Sequence, residues 1–92
     1  MAVVVRVPVV LRPYVGGADR VEVDGAGTVG AVFTALGDQH PALRRRITDD
    51  TGALRRHVNV FLGEDNIRDL SGLATPVRDG DDLLVLPSIA GG

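Results

Sequence analysis

The sequence predicts an α+β domain in which one main helix packs on one face of a mixed β-sheet. Three observations predict this class: an early pair of alternating strands around a glycine-rich turn, one amphipathic helical stretch, and further apolar strands toward the end. A helix laid across one face of a sheet is a stable two-layer arrangement. Ninety-two residues are enough to build one such domain with a modest core.

Residues 2–11 form a valine-rich stretch that predicts a strand, because β-branched side chains suit a pleated backbone. The odd-numbered positions from 3 to 11 are all apolar, so we expect them to face the core. Pro8 has no amide donor and should lie at a bulge or beside an unpaired part of the ladder. After a turn at Gly16 and Gly17, the strict alternation of residues 20–24 predicts the second strand of a hairpin.

The main helix is predicted to begin at Thr28, whose hydroxyl group can cap the first turn. Gly37 and Pro41 are expected to end it. Leu43 and Ile47 then share one face of a further short helical turn. The apolar face of the main helix is predicted from the spacing of four residues: Val29, Val32, Phe33 and Leu36.

Residues 57–62 predict the next strand, with the even-numbered residues facing the core, and residues 83–87 predict the last strand. Between them, residues 67–76 are expected to be irregular, with one short strand and one tight helical turn. The first and last strands are the most apolar, so we expect them to be central and to lie under the helix. This order of elements resembles the β-grasp, ubiquitin-like arrangement.

Composition argues against several classes of function. The chain has no cysteine, which excludes disulfides, thiolate catalysis and iron–sulfur clusters. A net charge of −2 and only three aromatic residues argue against binding to nucleic acid. No stretch has the pattern of a signal peptide or the length of a membrane span, so we expect a cytoplasmic protein with no membrane partner. All ten basic residues are arginine, which we interpret as codon usage; protection of a reactive C-terminus from internal amines is the alternative.

Few residues have the arrangement of a catalytic or metal site. His40 and His57 do not have the spacing of metal ligands, and neither is expected to be catalytic. The acidic pair at 49–50 and the acidic run at 79–82 coincide with turns, so we interpret both as solvated turn residues. The arginine run at 44–46 is interpreted as a solvated helical face, with a small anion patch as the alternative. We therefore expect no cofactor and no metal in this chain.

A patch of apolar residues is predicted on the outer face of the sheet. Strand alternation turns Phe61, Leu84 and Leu86 away from the core, and a single helix can cover only one sheet face. Exposed apolar patches commonly mark protein–protein surfaces, so we expect this set to bind a partner. The alternative is that the C-terminal segment or the long middle loop covers it.

The chain ends in Gly91 and Gly92, and two residues without side chains form a thin strip that can thread a narrow active site. We expect a domain over residues 1–87 and a flexible tail over residues 88–92. The carboxylate of Gly92 is the predicted reactive group, with a merely frayed terminus as the alternative. The residues leading to it are predicted to contact partners: Pro87, Ser88, Ile89 and Ala90.

The C-terminal region resembles the ThiS/MoaD family of sulfur carriers. Its pattern is an acidic-Gly-acidic turn at residues 79–82, an apolar strand, a short extended segment and a terminal Ala-Gly-Gly at residues 90–92. The similarity covers most of the chain. Leu-Arg-Pro at residues 11–13 and Gly-Leu-Ala-Thr at residues 72–75 favour the actinobacterial CysO type of carrier within this family.

This resemblance implies a protein co-substrate rather than an enzyme. A ubiquitin-activating-type enzyme, similar to MoeB and ThiF, would adenylate Gly92 with ATP and convert it, next to Gly91, into a thiocarboxylate. A sulfur-accepting synthase would then receive the sulfur. In the CysO-type pathway the acceptor is a PLP-bound aminoacrylate, and a metallopeptidase releases cysteine. ATP, PLP and the metal belong to these partners.

Other roles stay open at this stage. Within the same family, the chain could serve a secondary-metabolite synthase such as a 2-thiosugar synthase, act as the small subunit of molybdopterin synthase, or carry sulfur for the thiamin thiazole. From another class, it could be a ubiquitin-like modifier that is conjugated to target lysines. A β-grasp electron carrier with an iron–sulfur cluster is excluded by the absence of cysteine.

Overall fold

The computed structural model describes residues 2–24 and 27–87, which form five strands, two α-helices and three short 3₁₀ helices. The strands are β1 (Ala2–Arg6), β2 (Arg20–Asp24), β3 (Val58–Leu62), β4 (Asp65–Asn66) and β5 (Asp82–Pro87). The α-helices are α1 (Val29–Gln39) and α2 (Pro41–Ile47). The 3₁₀ helices cover Val9–Val15, Ile67–Asp69 and Gly72–Ala74.

The strands form one mixed sheet in the order β2-β1-β5-β3-β4. β1 and β2 make the predicted antiparallel hairpin, in which Val3 pairs with Val23 and Val5 with Val21. β5 lies at the centre, parallel to β1 and antiparallel to β3. The predicted β-grasp arrangement is confirmed, with the first and last strands side by side in the interior of the sheet.

The first strand is shorter than predicted. β1 ends at Arg6, and a 3₁₀ helix follows in place of the expected continuation to residue 11. Pro8 lies just beyond the strand, since its missing amide donor cannot extend the ladder. The inward alternation of the strand therefore continues to Val7, and Val9 is 72% exposed instead of facing the core. Leu11 is buried as predicted, but it reaches the core from the 3₁₀ helix and not from the strand.

Helix α1 begins as predicted, because the Thr28 side chain accepts a hydrogen bond from the backbone N–H of Ala31 at 3.1 Å. Its end differs from the prediction. Gly37 lies inside the helix, which continues to Gln39, and Pro41 opens α2 at a first-turn position where no amide donor is needed. A Cβ atom at residue 37 would meet the outer part of the Arg44 side chain, which would have to move aside.

The core lies between the two helices and the inner face of the sheet. From α1 it receives the four predicted residues, and from α2 it receives Leu43 and Ile47, all of which are buried. The sheet contributes alternating residues whose side chains are also buried: Val3, Val5, Val21, Val23, Val58, Val60, Leu83 and Val85. Leu62 also packs against this core. Because alternate residues of each strand point to opposite faces, Asn59 and Phe61 of β3 and Leu84 and Leu86 of β5 lie on the outer face.

Candidate functional site

The chain leaves the sheet at the end of β5. Pro87 is the last described residue of that strand and pairs with Val58, the first residue of β3. The start of β3 therefore lies beside the point where the C-terminal segment begins. Five predicted site residues lie outside the described residues: Ser88, Ile89, Ala90, Gly91 and Gly92.

The three predicted patch residues come together on the outer face. Phe61 of β3 pairs directly with Leu84 of β5, and Leu86 lies two positions further along the same face, opposite Asn59. Leu86 is 41% exposed, whereas Phe61 and Leu84 are half-buried. Opposed side chains on neighbouring antiparallel strands are close enough to touch, so Phe61 and Leu84 form one continuous apolar surface. We call Phe61, Leu84 and Leu86 the outer patch.

Charged side chains border the outer patch on the β1 side. Arg6 pairs with Leu84 across the parallel ladder, and its guanidinium lies 3.6 Å from the carboxylate of Asp82. Both side chains are about half exposed, so this ion pair contributes little to folding stability. Its position places a polar rim next to an apolar centre, which is the usual anatomy of a protein–protein interface.

The acidic clusters have the turn roles that the sequence predicted. Asp49 accepts hydrogen bonds from the Thr51 hydroxyl at 2.6 Å and from the backbone N–H groups of Thr51 and Ala53. The hydrogen bond from the Thr51 hydroxyl lowers the pKa of Asp49 most; partial burial opposes it, and the backbone donors and the charge of Arg55 reinforce it. Asp81 likewise accepts from the backbone N–H of Arg78 at 2.8 Å.

Sequence reasoning missed a set of side-chain hydrogen bonds that supports the start of β3, which we call the Arg68 buttress. The Arg68 guanidinium donates to the carbonyl groups of Arg55 and Val58, at 2.8 and 2.7 Å. Arg55 in turn donates to the carbonyl group of Arg45 at 2.7 Å. These contacts join residues ten or thirteen positions apart, and no local pattern signals them. They fix the segment that lies beside the beginning of the tail.

Two further properties concern the described part of the chain only. Among residues 2–24 and 27–87, no group of three histidine, aspartate or glutamate side chains is arranged to hold a metal ion. No helix in those same ranges is long and apolar enough to cross a membrane.

Comparison with known protein families gives a match to the family described as ThiS, over residues 5–92. The chain belongs to the ThiS family. It is 38% identical over 94 residues to the sulfur carrier protein CysO of Mycobacterium tuberculosis and of Mycobacterium bovis, covering 100% of each chain. It is also 38% identical over 73 residues to the small archaeal modifier protein 1 of Haloferax volcanii, covering 79% of both chains.

Solved structures of this family superpose closely on the fold. The carrier from the Amycolatopsis orientalis BexX/CysO complex matches with a TM-score of 0.89 and 35% identity, covering 99% of this chain and 100% of that chain. CysO of Mycobacterium tuberculosis matches with a TM-score of 0.84 and 35% identity, covering 95% and 99%. Haloferax volcanii small archaeal modifier protein 1 matches with a TM-score of 0.82 and 31% identity over the full length of both chains.

Proposed function

We propose that this chain is a sulfur carrier whose C-terminal Gly92 carries the sulfur as a thiocarboxylate. The observation that supports this most strongly is its similarity to the CysO sulfur carriers, which covers both chains completely. The ThiS match also includes Gly91 and Gly92. The role is that of a protein co-substrate, since the sulfur that is transferred sits on the chain itself.

The chemistry needs activation from a partner, because a carboxylate is a poor electrophile. A MoeB/ThiF-like enzyme joins the Gly92 carboxylate to the AMP part of ATP and releases pyrophosphate. A sulfur donor then attacks the acyl carbon, AMP leaves, and the terminal oxygen is replaced by sulfur. The thiocarboxylate sulfur is anionic and polarisable, so it can attack an electrophile held by a synthase.

The fold contributes delivery to this scheme. Docking of the domain holds the terminal sulfur near its acceptor and replaces a diffusional encounter with a positioned one. Ordering the tail costs roughly 1–2 kcal/mol of backbone entropy per residue. Burial of the outer patch and of Pro87 against the partner offsets this cost, as do contacts made by Ser88, Ile89 and Ala90.

The proposed pathway is cysteine synthesis of the CysO type, since the full-length relatives are CysO proteins. In it the sulfur attacks a PLP-bound aminoacrylate on a synthase, the adduct rearranges to a peptide bond, and a metallopeptidase releases cysteine. A secondary-metabolite synthase, such as a 2-thiosugar synthase, is the neighbouring alternative. The crystallised complex of a CysO with BexX supports the expectation that such a carrier binds a second protein.

A second candidate function is conjugation to other proteins. It is favoured by the 38% identity to a small archaeal modifier protein over 79% of the chain. In that role Gly92 would form an amide bond with lysine side chains of target proteins. An epitope-tagged chain would then give a ladder of larger species on blots, and the ladder would disappear in a variant that lacks Gly91 and Gly92.

The deciding experiment is an intact-mass measurement of the chain after incubation with an activating enzyme, ATP and a sulfur donor. We expect a mass gain equal to one oxygen exchanged for one sulfur, located at Gly92 by fragmentation. Reactions without ATP, and a variant lacking Gly91 and Gly92, are the controls and should give no gain. Absence of the gain with every bacterial activating enzyme tried would contradict the proposal.

A further inference from the structure

A cleft of about 500 Å³ lies near the start of β3. His57 lines it and directly precedes Val58, which pairs with Pro87 at the end of β5. An enzyme that takes up residues 88–92 therefore approaches the molecule next to this cleft. Most of its lining is basic or aromatic: Tyr14, Ala42, Arg45, Arg46, Arg55 and His57.

Within the described part of the chain, no arginine of the cleft forms an ion pair with a carboxylate. The ion pairs found in residues 2–24 and 27–87 are Arg6 with Asp82 and Arg20 with Asp19, and none of these residues lines the cleft. The carboxylates nearest in sequence to the arginine run, at residues 49–50, line a second, smaller cleft of about 270 Å³ that shares Arg45 with the first, and the charge of Arg55 acts on Asp49. Among the residues that the structure describes, no acidic side chain lines the cleft itself.

Two of the cleft arginines are held in place before any partner binds. The guanidinium of Arg46 lies 4.9 Å from the centre of the Tyr14 ring, a distance typical of a cation–π contact. Arg55 donates through Nε to the Arg45 carbonyl, and the described residues accept nothing from its two terminal nitrogens. A fixed guanidinium with free terminal N–H groups can bind a carboxylate in a bidentate manner at a reduced entropic cost.

Charge is distributed unevenly along the sheet. The end of the sheet at which β5 begins is acidic, and the basic residue Arg78 is close to this end in sequence. The acidic residues at this end are Asp24, Glu64, Asp65, Asp79, Asp81 and Asp82. The cleft lies toward the opposite end, beside which the C-terminal segment begins. Such a separation of charge turns a protein as it approaches a charged partner. A partner with an acidic surface would therefore meet this chain with its C-terminal end first.

We infer that the cleft is a docking site for an acidic surface of the activating enzyme, whose carboxylates pair with Arg45, Arg46 and Arg55. This inference rests on the proposed function and names the partner chemistry that recognises the carrier. A protein surface fits better than a small anion because the cationic groups are spread over α2 and the segment before β3.

The test compares two charge reversals in the full chain. Arg45→Glu reverses one charge in the cleft. The fold should persist, because the Arg45 side chain makes no hydrogen bond or ion pair within residues 2–24 and 27–87. Arg78→Glu is the matched control, because it is exposed, lies at the acidic end and changes the net charge equally. Each variant is checked for folding by thermal unfolding, and pyrophosphate release is measured against carrier concentration at low and high salt.

We expect Arg45→Glu to raise the KM of the activating enzyme for the carrier about tenfold at low salt, with kcat unchanged. High salt should shrink this difference, and Arg78→Glu should behave like the natural chain. Equal effects of the two reversals, or no effect of Arg45→Glu, would overturn the inference. Saturable NMR shifts at cleft residues on titration with inorganic phosphate or ATP alone would also overturn it, in favour of a small-anion site.

The two proposals fail in distinguishable ways. If the natural chain gains no sulfur, the proposed function is contradicted and the inference falls with it. If the natural chain is activated normally and Arg45→Glu is activated with the same KM, only the inference is contradicted. Arg46→Glu is a second variant of the same cleft and should also raise the KM for the carrier. It is used if loss of the contact between Arg46 and Tyr14 leaves the unfolding temperature unchanged.

Discussion

Phe61 of β3 lies directly opposite Leu84 of β5, on the sheet face that points away from the helices. The neighbouring inward positions, Val60 and Leu83, are both fully buried in the core. A strand in a sheet packed on one side needs apolar residues only at alternate positions. The additional apolar pair on the outer face is therefore not required by the core, and this is why we assign it to partner docking.

The first prediction concerns the most exposed member of the outer patch. Leu86→Arg should leave the fold intact, since the side chain is 41% exposed, but should raise the KM for activation about tenfold because apolar burial is lost at a docking surface. Leu70→Arg is the control, because Leu70 is similarly exposed, at 45%, but lies outside the patch. Equal effects of the two substitutions on KM would contradict a specific role for the patch.

The second prediction concerns the terminal residue. Gly92→Ala should fold normally and yet be converted poorly to the thiocarboxylate, because a side chain obstructs a channel shaped for glycine. Gly27→Ala is a suitable comparison, since an added Cβ at residue 27 meets no atom within 4 Å. The thiocarboxylate yield of each variant is measured by intact mass after the activation reaction. A normal thiocarboxylate yield from Gly92→Ala would rule out the threading argument.

The third prediction concerns the start of α1. Thr28→Ala should lower the free energy of unfolding by about 1 kcal/mol, because the N–H of Ala31 loses its side-chain acceptor. Thr34→Ala should change it by less than about 0.5 kcal/mol, since the Thr34 hydroxyl is exposed and only donates to the Gly30 carbonyl. Urea unfolding followed by circular dichroism measures both values. An equal decrease in the free energy of unfolding of the two variants would show that loss of the helix cap is not the cause of the destabilisation.

The fourth prediction concerns the buttress formed by Arg68. Arg68→Met should lower the free energy of unfolding by about 1–3 kcal/mol, because the carbonyl groups of Arg55 and Val58 lose a charged donor. Arg56→Met should have little effect, since the Arg56 side chain makes no hydrogen bond within the described residues. Hydrogen exchange should also become faster for the backbone N–H of Val58. Unchanged exchange at that position would argue against a local buttress.

The fifth prediction concerns pH. The folded chain holds the pKa of Asp49 below its ordinary value, mainly through the hydrogen bond from Thr51, so ionised Asp49 favours the folded state. This contribution is present above the ordinary aspartate pKa and is lost as the pH falls through the lower, folded value. In an NMR titration, Thr51→Val should move the titration midpoint of the Asp49 carboxyl group to higher pH. An unchanged midpoint would show that the hydroxyl group is not the cause.

The order and type of most elements follow from the amino-acid sequence alone, because the relevant signals are local. Thr28 caps α1 through a residue three positions away, and the alternation in β2 and β3 reports directly which side chains face the core. Phe61, Leu84 and Leu86 were placed on the outer face by the same alternation. The resemblance to sulfur carriers likewise depended on residues that are contiguous in the chain.

Tertiary structure decided what depends on contacts between distant segments. β1 ends at Arg6, where Pro8 cannot extend the ladder, and α1 continues through Gly37 to Gln39 before Pro41 opens α2. The basic cleft is the clearest case. Sequence reasoning interpreted the arginine run as a solvated helical face, since nothing local shows that α2 lies beside Arg55 and His57. Only the folded chain brings these charges together, because the backbone N–H of Arg55 donates to the Ile47 carbonyl group and its side chain donates to the Arg45 carbonyl group.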